Sequence, residues 1–213
     1  MTPDENSRGM GSDPRRPHGG RCVDRGPGGQ VIGGSGSGSD IEDDGPHKVT
    51  TPATLLSEYK KVQSDVFDKK NKQQVAKYGV KNAHGVNASY EARDVDHPGT
   101  LRTLQLSGAY GEKSDTADDG IDLVGSPKAY TPSELDGAVL KCQENRIKGG
   151  SVAADSSGKS KDASVPVCVW GDNSTLGVVM HVETARATLG MPVNMEYAAE
   201  QTARLRKEVR VKI

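Results

Sequence analysis

The chain has 213 residues, of which 33% are hydrophobic and 4% aromatic, with 26 Gly and 11 Pro. These are too few apolar side chains for one core along the whole length, so the composition favours a smaller folded domain beside a disordered segment. The formal net charge of −1 gives no basic excess and predicts no nucleic-acid partner. The apolar runs are far shorter than the roughly 20 residues of a membrane-spanning helix, so no span is predicted.

The first predicted unit is residues 1–46. Nearly half of the Gly lie here, and few side chains are available for burial. Such a segment cannot offset the entropy cost of ordering its backbone, so we expect a disordered Gly-, Pro-, Ser- and Asp-rich tail and linker. Charges and Gly occupy the positions where a signal peptide would have its apolar region, so no cleavable signal peptide is predicted.

The second predicted unit is a single domain over residues 47–213. Its first part, 52–78, is compatible with a helix or with an edge strand. Strands are predicted at 86–92, 101–109 and 138–142, and the Gly, Pro and Asp clusters between them are typical of a meander-like antiparallel sheet. A mobile loop rich in Gly, Ser, Lys and Asp is predicted at about 145–164.

The strongest patterns lie at the end of the chain. Valines alternate along residues 165–182 on both sides of a Gly-Asp-Asn turn, which predicts an antiparallel hairpin. Apolar residues at helical spacing predict an amphipathic helix over 194–210, with Asn194 as its N-cap. We therefore predict an α+β fold, in which a twisted antiparallel sheet packs against this C-terminal helix and Trp170 lies in the core.

Candidate catalytic residues occur only in the hairpin, as Asp172, Ser174 and His181. A Ser-His-Asp set could be assembled from them, but no Gly-x-Ser-x-Gly elbow is present. The sequence therefore predicts no catalytic residue, and instead a turn-capping Asp172 and a half-exposed His181. No cofactor is expected, because the glycines of 33–38 lack the Lys-Ser/Thr of a P-loop. No metal is expected either, since 115–122 lacks EF-hand ligands at required positions.

Two of the three cysteines, Cys142 and Cys168, lie in predicted strands on either side of the mobile loop. A bond between them would close about 27 residues and stabilise the fold by on the order of 3 kcal/mol. Two unpaired thiols in a reducing cytosol are the alternative, and the spacing leaves both open. Neither cysteine has the CxxC or HxxxH spacing of a zinc site.

The C-terminal half resembles a group of uncharacterised exported or membrane-anchored proteins of actinobacteria of the Streptomyces type. The resemblance rests on the run Cys-Val-Trp-Gly-Asp-Asn-Ser-Thr-Leu-Gly at 168–177, the helix end at 203–211, and the segments 45–54 and 106–111. It covers residues 45–213. Proteins of this group have a cytoplasmic tail, one membrane-spanning helix, a linker and an extracytoplasmic α+β domain with a disulfide. No activity is established for the group.

The resemblance implies an extracytoplasmic location and a disulfide between Cys142 and Cys168. It also implies an apolar helix before the linker at 33–45, where this sequence has a charged, Gly-rich stretch. We therefore expect either a variant that has lost the anchor, or a reading frame or start upstream of the linker that is not the native one. The predicted function is a non-enzymatic binding or interaction domain, with a cell-envelope protein or a small ligand as partner. The alternative is a small hydrolase that uses the 165–182 hairpin.

Overall fold

The main element of the protein is an antiparallel sheet of eight strands. A computed structural model describes residues 44–66, 68, 72–73, 80–113, 126–147 and 162–213. A two-stranded sheet outside the main one pairs β1, His47–Val49, with β10, Arg210–Lys212. The strands of the main sheet are β2 (Thr54–Leu55), β3 (Tyr59–Val66), β4 (Val80–Arg93), β5 (Leu101–Lys113), β6 (Lys128–Tyr130), β7 (Val139–Ile147), β8 (Ala163–Gly171) and β9 (Thr175–Glu183).

The main sheet consists of two meanders that meet in its centre. Its spatial order is β2-β3-β4-β5-β9-β8-β7-β6, so the second meander returns to place β9 beside β5. This differs from a single meander, since the chain passes from β5 to the far edge before it comes back. The long strands are thereby paired on both sides, and the edges are strands of two and three residues. Short edge strands limit pairing with other chains.

Two helices follow β9, namely α1 (Thr184–Leu189) and α2 (Met195–Val209). The predicted N-cap of α2 is confirmed, because Asn194 Oδ1 accepts a 3.0 Å hydrogen bond from the Tyr197 backbone N–H. Helix α2 packs on β7, β8 and β9. The α+β fold, with a twisted antiparallel sheet packed against a C-terminal helix, is thus as predicted.

Trp170 lies at the centre of the core between the sheet and α2. It is fully buried and stands opposite Gly177 on β9, where a Cβ atom would lie 2.1 Å from the indole ring. Gly177 is therefore the residue that leaves room for the ring. The predicted apolar faces of 86–92 and 138–142 line the same core, which also contains Leu55, Ala88, Tyr90, Leu104, Leu106, Leu140, Cys142, Cys168, Val179, Leu205 and Val209.

The structure gives boundaries for several of the elements that the sequence predicts. Of the two alternatives for 52–78, a strand that begins at Tyr59 is present as β3, with the two-residue β2 outside it at the edge. The predicted mobile loop is shorter than expected, because β7 extends to Ile147 and β8 begins at Ala163. The rest of that loop, 148–161, lies outside the described residues, as does the predicted tail up to residue 43. The described residues from 44 onwards belong to one compact unit by their internal contacts.

Candidate functional site

Asp172 organises the turn between β8 and β9. Its Oδ1 accepts hydrogen bonds from the backbone N–H groups of Ser174, at 3.0 Å, and Thr175, at 2.7 Å. The Thr175 hydroxyl donates to Oδ2 at 2.6 Å. These bonds make an Asx-type turn, which is the local reason that the Gly-Asp-Asn sequence reverses the chain here. The predicted turn-capping role of Asp172 is confirmed.

The same carboxylate is the counter-ion of two arginines from the end of the chain. Arg206 Nη2 donates to Asp172 Oδ2 at 2.8 Å, and Arg206 Nη1 donates to the Leu135 carbonyl at 2.9 Å. Arg210 Nε lies 3.0 Å from the same Oδ2. Burial by itself raises the pKa of Asp172, but the hydrogen bonds from Thr175, Ser174 and Arg206 outweigh burial, so the pKa lies below its ordinary value.

His181 lies near the other end of β9, on the face that α2 covers. It is 6% exposed, so the predicted half-exposed position is wrong. The reason is that α2 covers the face of β9 opposite Val178 and Met180. Its Nε2 lies 2.9 Å from Thr202 Oγ1, and that hydroxyl donates to the Ala198 carbonyl. The Thr202 oxygen is therefore the acceptor, Nε2 carries the proton, and Nδ1 keeps a lone pair.

The hairpin candidates do not all come together. Asp172 and Ser174 meet in the turn, where the Ser174 hydroxyl donates to Asp172 Oδ1 at 3.3 Å. His181 is six residues along β9 from Thr175, which at about 3.3 Å per residue is roughly 20 Å. A Ser-His-Asp relay needs the three side chains within hydrogen-bond reach of one another. His181 is instead bonded to α2.

A cleft opens above His181, between the sheet, α1 and the start of α2. Its inner part is small, about 20 Å³, which is room for about one water molecule. The outer part, of about 260 Å³, extends to the turn between β4 and β5 and shares Glu183, Arg186, Asn194 and Tyr197 with the inner part. The inner cleft is also lined by Ser164, Pro166, His181, Ala187, Met191, Val193 and Ala198, and the outer cleft by Asp94, Val95, Asp96, His97 and Arg102.

Three ionisable groups that line the inner part of the cleft have shifted pKa values. Burial lowers the pKa of His181 to about 4, so the ring is neutral at neutral pH. Burial raises the pKa of Glu183, against the opposing effect of Arg186. Burial also raises the pKa of Tyr197. Groups shifted in this way are typical of binding and catalytic sites.

The charged groups of the outer cleft are arranged as pairs. Arg102 Nη2 donates to Glu58 at 2.5 Å, and Arg186 Nε lies 3.1 Å from Glu183 Oε2. Asp94 Oδ1 accepts from the backbone N–H groups of Asp96 and His97, at 3.0 and 3.1 Å. Burial raises the pKa of Asp94, but these two hydrogen bonds prevail and the pKa is lowered.

Exposed apolar side chains surround the mouth of the cleft. Val95, in the turn between β4 and β5, lines the outer part and is 78% exposed. Met191 follows α1 and lines the inner cleft itself. Exposed apolar groups around a polar cleft are typical of surfaces that bind a ligand or a partner.

A wider groove at the opposite end of β4 and β5 is less suited to a ligand. His84 stacks on Tyr110 with ring centroids 5.4 Å apart, and His47 Nδ1 lies 2.8 Å from the Gly45 carbonyl. Ser174, which also lines this groove, donates to Asp172. His47 and Ser174 thus already have hydrogen-bond partners within the protein, and His84 is held against Tyr110.

The Sγ atoms of Cys142 and Cys168 are 2.09 Å apart, as in a disulfide. The two residues are direct partners in the β7–β8 pair and lie in the main core. Over the described ranges, no three His, Cys, Asp or Glu side chains are grouped closely enough to hold a metal ion. The stretch 115–122 lies outside those ranges. Neither described helix is long and apolar enough to cross a membrane.

The chain matches no protein-family model, no curated protein and no solved structure. Its function must therefore be argued from the site. Sequence reasoning missed Glu183, Arg186 and Tyr197 in the cleft, because they come from three different elements. It also missed the burial of Arg206, although position 206 is four residues after Thr202 and thus on the apolar stripe of α2.

Proposed function

We propose that this protein is a non-enzymatic binding domain that acts outside the cytoplasm and takes its ligand in the cleft above His181. The observation that carries the proposal is the state of His181. Its Nε2 is held by Thr202, and the ring, which is 6% exposed and whose pKa burial lowers to about 4, lines the inner part of the cleft. A polar group among apolar side chains in a cleft can fix the orientation of a ligand.

The contacts of the hairpin residues favour binding over the hydrolase alternative. Asp172 is committed to the turn and to Arg206, and the exposed fraction of both side chains is only a few per cent. His181 is at the other end of β9, beside α2. The hairpin therefore holds the domain together, and the cleft remains as the surface for a partner.

The extracytoplasmic part of the proposal is supported by two observations. Cys142 and Cys168 are at disulfide distance in the core, and such bonds persist in oxidising compartments. The motif at 168–177 resembles that of exported actinobacterial proteins. In the proposed arrangement the domain is tethered at the cell surface, as in those proteins, and its partner is a small ligand or a protein of the cell envelope.

The test is a binding screen that maps contacts onto residues. The ¹⁵N-labelled protein is exposed to small carboxylic acids, primary amines, alcohols and monosaccharides, and amide shifts are recorded. We expect at least one class to shift the amides of His181, Ala187 and Ala198. Ser164→Phe fills the cleft and should remove these shifts, whereas Gln105→Phe, exposed on another strand of the sheet, should keep them.

Two results would overturn the proposal. One is the absence of shifts at the cleft with every class of probe. The other is a set of shifts that Ser164→Phe leaves unchanged, because binding would then not require the space that this side chain faces.

A further inference from the structure

Most of strand β3 has no neighbouring strand on its outer side. Strand β2 is the edge strand there, but it pairs with β3 only at Tyr59 and Lys60. The Lys61 backbone N–H also donates to the Ala53 carbonyl, at 2.9 Å. Among the described residues, no other strand pairs with this side of β3, so residues 62–66 form an open edge. The unpaired backbone groups of an open edge are able to bind another strand.

The open edge carries apolar side chains and no lysine. All the residues of 62–66 are exposed, and the exposed fractions of Val62 and Val66 are 56% and 80%. Lysines and bulges are common devices that prevent an edge strand from pairing. In β3 the lysines lie at the covered start, and the ladder with β4 is regular from Gln63 onwards. The end of β3 therefore lacks the protection that its start has.

The sequence of the open edge is complementary to itself in one antiparallel register. If two copies pair about Ser64, Val62 lies opposite Val66 of the second copy, and Gln63 lies opposite its Asp65. Apolar side chains that lie directly opposite each other stabilise a pair of strands. Gln63 Nε2 already donates to Asp65 Oδ2 within one strand, at 3.0 Å, so the same two groups can bond between copies. No like charges lie opposite each other in this register.

The two neighbouring registers that keep the same faces together fit less well. Pairing about Gln63 would need the outer side of Lys60 and Lys61, which is already bonded to the segment before β3. Pairing about Asp65 would place this carboxylate opposite its own copy, and like charges directly opposite each other destabilise a sheet. The register about Ser64 uses only the open residues and is therefore favoured.

We propose that the open edge at 62–66 is an interface between two copies of this chain. The two β3 strands pair antiparallel about Ser64, so that the two main sheets continue into one sheet across a two-fold axis. The interface is isologous, since the same residues serve both copies. It buries much less area than a standard interface, so the dimer is weak and forms only at high protein concentration. This inference goes beyond the binding function and does not depend on the cleft.

The experiment measures the molar mass of the full-length protein as a function of concentration. Sedimentation equilibrium from about 5 µM to about 1 mM should show a shift from monomer to dimer, the range in which small interfaces associate. The amide shifts of the ¹⁵N-labelled protein are recorded over the same range. The amides of 62–66 should shift with concentration, and that of Val95, which is exposed in the turn between β4 and β5, should not.

Two double variants of the same two positions test the register. Val62→Lys/Val66→Lys places lysines opposite each other and should raise the dissociation constant at least about tenfold. Val62→Lys/Val66→Glu places each lysine opposite a glutamate of the second copy, and should keep the dissociation constant within about threefold of that of the unchanged protein. Both valines are exposed, so neither variant removes a core side chain.

The matched control is Val95→Lys, which adds a charge at a valine of similar exposure, 78% against 80% for Val66. It should leave the dissociation constant unchanged, because Val95 is not part of β3.

The proposal fails in three cases. One is a monomer at every concentration, including a monomer whose edge amides shift only when an extended peptide is added, since the occupant is then another polypeptide. Another is a dimer that Val62→Lys/Val66→Lys leaves intact, because a different surface must then form it. The last is an equal loss of the dimer in both double variants, which rules out pairing about Ser64.

Discussion

At the scale of single residues, Asp172 joins two parts of the molecule that are far apart in sequence. Its Oδ1 holds the turn before β9, and its Oδ2 receives Arg206 from α2. Both side chains are 3% exposed. A buried ion pair contributes little beyond an apolar pair of the same volume, but loss of one partner leaves the other charge buried and unpaired.

We therefore expect Asp172→Asn to lower the free energy of unfolding by about 3–5 kcal/mol. Denaturant unfolding at neutral pH measures the loss. Since the folded pKa of Asp172 is lowered, its contribution is complete above the ordinary pKa and disappears as the pH falls through the lower folded value. Asp136→Asn is the control, because the Asp136 pair with Lys207 is exposed and should contribute at most about 1 kcal/mol. Equal losses in the two variants would contradict this role of Asp172.

His181 makes stability depend on pH over a higher range than Asp172 does, although both contributions are lost as the pH falls. The unfolded chain binds a proton near pH 6.5, whereas the buried ring does so only near pH 4. Stability is therefore complete above pH 6.5 and declines as the pH falls towards 4. Glu183, with a raised pKa, has the opposite effect on stability at low pH.

At pH 5, His181 should lower the free energy of unfolding by about 2 kcal/mol relative to pH 7.5. We would measure the free energy of unfolding of the protein and of His181→Gln at both pH values. The comparison separates the contribution of His181 to the pH dependence from that of Glu183. The variant should lose about 2 kcal/mol less than the protein between the two conditions. The control is His84→Gln, which changes an exposed histidine and should keep the full pH dependence of stability. If His181→Gln also keeps it, the pH dependence does not come from His181.

At the scale of elements, the β7–β8 pair depends on the link between Cys142 and Cys168. The two cysteines are opposite each other and buried in the main core. The core has a single Trp, and its other large members are mostly Leu and Val, so a covalent link there contributes a considerable part of the stability.

The double variant Cys142→Ala/Cys168→Ala should lower the free energy of unfolding by about 3 kcal/mol, from the added freedom of the unfolded chain. Denaturant unfolding without reductant measures it, with Cys22→Ala as control. Mass analysis of protein recovered from outside the cell should find the two cysteines linked. Two free thiols in that sample would count against both the link and the proposed location.

The position of helix α2 follows from its local sequence pattern, whereas the partners of its charged side chains follow from tertiary contacts. Its apolar spacing and the Asn194 cap predict its position to within a residue. Two charged side chains of α2 contact residues of other parts of the chain. Arg204 Nε lies 3.3 Å from Glu134, and Glu208 accepts a hydrogen bond from the Leu56 backbone N–H at 2.9 Å. The spacing of charged residues within a helix does not predict ion pairs or hydrogen bonds with residues of other elements.

At the scale of the whole molecule, the start and the end of the domain are joined. Strand β1 pairs with β10, and Arg210 Nη1 donates to Asp44 at 2.7 Å. Val49 is buried against Gly108 of β5, where a Cβ atom would lie 2.4 Å from the valine. The segment 44–49 therefore belongs to the domain, although the sequence predicts a linker up to residue 46.

Two truncations test this boundary. A chain that begins at residue 44 should keep the unfolding free energy of the full protein. A chain that begins at residue 50 loses the burial of Val49 and the pairing of β1, and should be less stable by at least about 2 kcal/mol. Thermal and denaturant unfolding of both chains measure the difference. Equal stability of the two would show that β1 is not part of the cooperative unit.

The sequence by itself determined the elements whose signals are local. Alternation over 165–182, apolar spacing over 194–210 and the Gly-Asp-Asn turn predict the β8–β9 hairpin and α2, because each depends on residues within a few positions of one another. The tertiary structure alone decided that β9 lies beside β5, that α2 buries His181 and Arg206, and that Glu183 and Tyr197 share a cleft. These features arise from contacts between residues far apart in the chain, and a periodic pattern carries no information on which distant element will cover it.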